Sequence, residues 1–159
     1  SGKMNKEAIF KEIEAPVAAR GCFITDVTVS SDNDVTIAIE SENGVVDMDD
    51  CVAINDAFLA VFDQDAEDYS LTVTSAGLDQ PFKIVKQFIK AVGSKVEVKT
   101  RDGRKLVGVL ESADDNGFTF SYEVKELVPG KKKKEMVRHE ESFEYGSVNS
   151  VMPYLDMNA

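Results

Sequence analysis

From residue 95 to residue 154 the chain breaks into five short stretches of alternating apolar and polar residues, separated by tight-turn signals. Alternation with period two puts successive side chains on opposite faces of a strand. Val96 and Val98 lead the first stretch, residues 95–100, and residues 105–111, 118–128, 135–143 and 148–154 follow. Asp102-Gly103 is a hairpin signal, because both residue types tolerate the positive φ that a two-residue turn requires. Asp114-Asp115-Asn116-Gly117 and Pro129-Gly130 supply the next reversals. Strands this short, joined this tightly, leave no room for helical crossovers and point to a small all-β barrel. Phe118, Phe120 and Tyr122 share one parity on the longest strand, which fits a barrel core better than a base-stacking platform.

The first half follows a different rhythm. Residues 5–20 read as a helix through Ile9, Phe10, Ile13 and Val17, with Pro16 as an internal cost and Gly21 as the stop. Residues 22–30 alternate, opened by Phe23 and Ile24, with Thr25, Val27 and Val29 expected on one face. The polar turn Ser31-Asp32-Asn33-Asp34 leads into a second strand built on Val35, Ile37 and Ile39, so the two form an antiparallel hairpin. Asp47 fits a helix N-cap, with Asp49 and Asp50 in the first turn, where carboxylates favour the positive end of the helix. That helix is expected to reach about Phe62, with Cys51, Ile54, Phe58 and Val61 or Phe62 toward the core. Residues 68–74 form the last strand of an α-β-β-α-β unit, and the second helix can cross between parallel strands. Ser75-Ala76-Gly77-Leu78-Asp79-Gln80-Pro81 reads as a connection. Residues 82–92 then read as a basic helix carrying Lys83, Lys86 and Lys90 and ended by Gly93. The expectation is an α+β chain with domains at residues 4–81 and 82–159. Ser1 and Gly2, with Lys3, precede the first methionine and are expected to be flank rather than fold.

The net charge of −11 is unevenly placed. Residues 4–81 hold three basic and 17 acidic residues, whereas residues 82–159 hold 14 basic and 12 acidic ones. The first half should repel phosphate and attract basic protein; the second can approach nucleic acid. No apolar run approaches the roughly 20 residues of a membrane helix, and the amino terminus shows no secretory stretch. The two cysteines, Cys22 and Cys51, lack metal or redox spacing and read as half-buried thiols in a reducing cytoplasm. Asp32-Asn33-Asp34 and the acidic run at residues 63–68 lack the glycine and glutamate of a calcium loop. His139, the only histidine, has no nucleophile motif to serve, and no glycine-rich phosphate loop is present.

Three segments carry a family resemblance. Asn43-Gly44-Val45-Val46-Asp47-Met48-Asp49-Asp50-Cys51 is similar to the glycine-led, acidic approach to the second helix in the bacterial ribosome maturation factors called RimP. The stretch from Tyr69 through Ser75-Ala76-Gly77-Leu78-Asp79-Gln80-Pro81 to Phe82 resembles the family's signature junction and is the specific part. Gly103-Arg104-Lys105-Leu106-Val107-Gly108-Val109-Leu110 resembles the glycine-centred second strand of its barrel. The chain departs at Ala76, where the family usually has proline, and at Gln80, where it usually has arginine. A phosphate contact is therefore not carried over to Gln80. The resemblance implies an amino-terminal α/β domain and a carboxy-terminal SH3-like (Sm-like) barrel. It also implies a cytoplasmic factor, without cofactor or catalytic residues, that binds the free small ribosomal subunit and helps it mature; a monomer is expected.

Candidate residues follow. Lys131, Lys132, Lys133 and Lys134 form a basic loop tip that is either a solvated turn or a dense phosphate contact. Lys83, Lys86, Lys90, Lys95, Arg101, Arg104 and Lys105 could extend it, through backbone and shape contacts rather than base readout. Glu40, Glu42, Asp47 and Asp49 are candidates for docking a basic ribosomal protein, beside their plainer reading as caps and solubilising charge. Ser75, Gly77, Leu78, Asp79 and Pro81 are junction candidates, read both as a simple connection and as a turn that fixes inter-domain geometry. Two rival functions stay open: a generic Sm-like RNA-binding or translation-regulating module, which would bind isolated RNA tightly, and a metal-assisted enzyme built on the acidic clusters, which would need converging carboxylates.

Overall fold

The computed structural model of the chain describes residues 3–155, so Ser1, Gly2 and residues 156–159 of the expected second domain lie outside the described residues. The chain divides into two compact units after Gly77, slightly before the boundary expected at Pro81. Phe82 already belongs to the second unit, because its backbone N–H donates to Val151 O at 2.8 Å.

Unit 1 has the order α1 (Lys6–Ala19), β1 (Cys22–Val29), β2 (Asp34–Ser41), α2 (Met48–Val61) and β3 (Ser70–Ser75). Asn5 caps α1 by accepting the Ala8 N–H at 2.9 Å, and the helix runs through Pro16 to Ala19. β1 and β2 are antiparallel, β2 and β3 are parallel, and the sheet order is β1-β2-β3. One core is formed by Ile9, Ile13 and Val17 of α1, Val35, Ile37 and Ile39 of β2, and Ile54 and Phe58 of α2. Phe10 was expected on that face but is 43% exposed. The buried row steps 9, 13, 17, and Phe10 lies about 100° round the helix from Ile9.

Of the expected face through Thr25, Val27 and Val29, the two valines share the core, and Thr25 is the correction. The β1 register slips between Ile24, opposite Ile39, and Asp26, opposite Ala38. Thr25 is the extra residue of a β-bulge, so the core side switches parity there, and Cys22, Ile24 and Val27 enter one core.

Unit 2 contains α3 (Val85–Ala91), β4 (Lys95–Thr100), β5 (Lys105–Ala113), β6 (Gly117–Leu127), β7 (Lys134–Glu144), a single 3₁₀ turn (Tyr145–Ser147) and β8 (Val148–Pro153). The strands form one antiparallel sheet in the order β7-β6-β5-β4-β8. β7 and β8 are its end strands, and no ladder joins them among the described residues. Val96, Val98, Leu110, Phe118, Phe120, Val148 and Val151 form its core together with Phe88 of α3.

The helix expected over residues 82–92 starts later than the pattern suggested. The Gln87 side-chain oxygen accepts the backbone N–H groups of Lys83, at 2.5 Å, and Ile84, at 3.1 Å. That cap fixes Ile84 in an extended conformation outside the helix.

Candidate functional site

In unit 1 the acidic candidates divide by role. Asp47 accepts the Asp50 N–H at 2.8 Å, and the Asp50 carboxylate accepts the Asp47 N–H at 3.1 Å, a reciprocal capping box at the start of α2. Asp47 is thus committed to holding the helix. Asp49, next to it, is exposed in the first turn. Glu42 is exposed just after β2, and its backbone N–H donates to Gly21 O at 2.9 Å. Glu40 is half-buried in β2.

Sequence reasoning missed the most consequential acid of this unit. Asp50 is 8% exposed and receives Arg20 Nε at 3.0 Å, which ties the end of α1 to the start of α2. It takes the first core-facing position of α2 that had been expected of Cys51; the buried row is Asp50, Ile54 and Phe58, while Cys51 is half-buried. The signal was present as a carboxylate four residues before Ile54. The Asp47 N–H, followed by the Arg20 guanidinium, holds the Asp50 carboxyl below its ordinary value despite burial. Burial, with the Asp50 charge second, pushes both cysteine thiols up, so neither is activated as a thiolate.

A pH prediction follows. The folded-state value of Asp50 is depressed, so its contribution is present above the ordinary value of 3.8 and is lost as pH falls through the folded value. Asp50→Asn should be less stable than the parent chain at neutral pH, and the two thermal melting temperatures should converge as pH falls below 3.8 through the lower folded-state value. Curves that stay parallel on acidification would show that Asp50 is not the linked group.

In unit 2 several of the basic candidates are engaged by neighbours on the sheet. Arg101 Nε donates to Gly146 O at 2.9 Å. Arg104 lies between Asp102, at 3.2 Å, and Glu141, at 3.3 Å, and Glu141 also accepts the Tyr122 hydroxyl at 2.6 Å. Asp102 is held below its ordinary range by hydrogen bonds from Thr100 and then Arg104. Lys105 faces Glu97 at 3.8 Å. These three cations are largely spent on the sheet itself. His139 sits against Glu126 at 2.7 Å and stacks on its cross-strand neighbour Tyr122 with ring centroids 5.5 Å apart.

Lys83, Lys86, Lys90 and Lys95 are exposed, on and around α3 and at the start of β4. The lysine tip has the clearest geometry. The β5–β6 ladder stops at Val109 opposite Ser121, whereas the β6–β7 ladder runs on to Leu127 opposite Lys134. Beyond Ser121, β6 is therefore paired on one side only, and the hairpin continues as a two-stranded arm. Its turn uses Gly130 at φ +83° and a bond from Lys131 N–H to Val128 O at 3.0 Å. Lys131 reaches Glu135 at 3.9 Å; Lys132, Lys133 and Lys134 are exposed and make no ion pair among the described residues. Lys134 opens β7 instead of lying in the loop.

Among the described residues no group of three or more His, Cys, Asp or Glu side chains is arranged to hold a metal ion. No helix among them is long and apolar enough to cross a membrane.

Comparison with known proteins gives the family. The chain is 31% identical over 135 residues to a ribosome maturation factor RimP of Christiangramia forsetii, spanning 85% of this chain and 81% of the relative. The chain belongs to the RimP family. The family's model for the RimP N-terminal domain matches residues 12–79, which covers most of unit 1 and ends within the junction. A RimP of Flavobacterium psychrophilum is 28% identical over 130 residues, covering 82% of this chain and 83% of the relative. One from Porphyromonas gingivalis is 29% identical over 107 residues, covering 67% and 70%. The RimP relationship therefore extends into unit 2, where Gly108 has a structural reason to be glycine. A Cβ built on it would lie 2.0 Å from Ser121 O.

Proposed function

We propose that this chain is a ribosome maturation factor that acts in the cytoplasm on the free small ribosomal subunit, as a monomer and without catalysis or cofactor. Family membership over most of the chain supports the ribosomal role, since the relatives are named ribosome maturation factors. The observation that carries the finer reading is the arm of unit 2, whose unpaired lysines suit rRNA phosphates, in a chain whose unit 1 is strongly acidic. Unit 1 meets a basic ribosomal protein through Asp49 and its acidic neighbours. The same proposal takes unit 2 to be an SH3-like barrel that presents the arm, a reading supported by the antiparallel order β7-β6-β5-β4-β8. Such a factor works by mass action, stabilising the subunit conformation that it binds best.

The test is co-sedimentation of the purified chain with free small subunits, free large subunits and joined ribosomes. Recovery with free small subunits above the other two is expected. Equal recovery with all three, or tight binding to protein-free RNA alone, would overturn the proposal.

A further inference from the structure

The second helix of unit 1 has two apolar rows, and only one of them is used by the core. Asp50, Ile54 and Phe58 face inward. On the outside, Met48 is 77% exposed, Val52 51% and Leu59 40%, and Val45 just before the helix is 90% exposed. At 3.6 residues per turn, Met48, Val52 and Leu59 fall within about 40° of one another, on the side away from the buried row. Asp49 and Asp56, both exposed, run beside them within about 60° of Val52. The sequence of α2 contains no lysine, arginine or histidine.

We infer that this outer face of α2 is a docking surface for a basic amphipathic protein segment, with apolar side chains seated on Met48, Val52 and Leu59 and cations beside Asp49 and Asp56. This rests on the reading that unit 1 meets a basic protein, and it names the surface. An exposed apolar row on a charged helix is the face that a partner covers, and an unbranched methionine adapts to such a partner. The parallel acidic row selects the occupant. A second copy would bring the same carboxylates against themselves, and a nucleic acid would bring phosphate. A partner recognised by charge alone would make no use of three aligned apolar side chains.

The probe is a fluorescent amphipathic peptide of leucine and lysine, titrated into the full chain and followed by anisotropy. Two control peptides keep the length: one replaces leucine by serine, the other lysine by glutamate. Val52→Ser combined with Leu59→Ser should weaken leucine–lysine peptide binding by roughly tenfold or more. Asp49→Asn combined with Asp56→Asn should weaken it by about threefold and reduce its salt dependence. Circular dichroism of each variant should match the parent chain and melting should fall only modestly, because Val52 and Leu59 are about half exposed and Asp49 and Asp56 lie at the surface. Equal binding by the Val52/Leu59 variant, equal binding of the serine control, or equal binding of the glutamate control would each overturn the inference. So would a dimer in sedimentation that the Val52/Leu59 variant abolishes, since the occupant would then be a second copy.

Pelleting with small subunits separates this inference from the function it rests on. Failure of the parent chain to pellet removes the ribosomal reading. Full pelleting of the Val52/Leu59 variant, with unchanged peptide binding, removes the α2 face alone.

Discussion

Replacing Gly108 by alanine should destabilise unit 2 by about 3 kcal/mol or more, the upper end of the range for overpacking. Gly108 lies in β5 opposite Val96 of β4, one residue before Val109 pairs with Ser121 of β6. A Cβ at Gly108 would sit 2.0 Å from Ser121 O and 2.9 Å from the Tyr122 Cβ. The nearest obstacle is backbone, so no rotamer change relieves it, and β6 cannot retreat without breaking the ladder. Typical domains are stable by only about 5–15 kcal/mol, so the loss would be large. Gly103 makes the useful contrast. Its φ of +91° is costly for alanine, yet an added Cβ there meets nothing within 4 Å. Gly103→Ala should therefore cost only about 1–2 kcal/mol, from backbone strain alone. Hydrogen exchange reads both variants unit by unit. Gly108→Ala should lose protection in β4, β5 and β6, while Ile9, Ile37 and Ile54 in the separate core of unit 1 stay protected. Unchanged protection in β5 would mean that the approach of β6 at this point is looser than described.

The element order was legible because period-two and helical patterns are strong in this chain, and turn residues separate them cleanly. What escaped was set by contacts distant in sequence. The parity switch at Thr25 depends on its register against Ile39 and Ala38, and nothing between Cys22 and Val29 signals it. The late start of α3 depends on Gln87 capping backward to Lys83 and Ile84, which competes with the helical pattern of the lysines. Asp50 was read as a first-turn acid, but Arg20, far earlier in the chain, makes it a buried partner. The candidate cations show the same limit. Lysine and arginine are visible in sequence, while their occupancy is not. Glu141 sits in β7, and only the folding of β7 onto β6 brings it to Tyr122 and Arg104.

That sorting of cations sets the second large effect. Reversing Lys131, Lys132, Lys133 and Lys134 to glutamate should weaken binding to free small subunits by roughly a hundredfold at low salt and flatten its salt dependence. Each phosphate contact adds about 0.7 to 0.9 to the slope of log K against log salt. Lys131 already faces Glu135 at 3.9 Å, so it should contribute less than the other three. A slope reduced by roughly 2 to 3 is therefore expected, with parent and variant converging as salt rises. The fold should tolerate the change. The four residues are exposed, lie outside the core of unit 2, and leave the Gly130 turn intact. The matched control reverses Lys6 and Lys11 on α1, which keeps the charge change in the same sense but places it on unit 1. If net charge alone drives binding, this control will lower the slope as the tip variant does, in proportion to the charges reversed. If the arm is the contact, the slope will respond to the tip and not to α1. An unchanged slope in the tip variant would remove the arm from the interface and leave the lysines as a solvated turn.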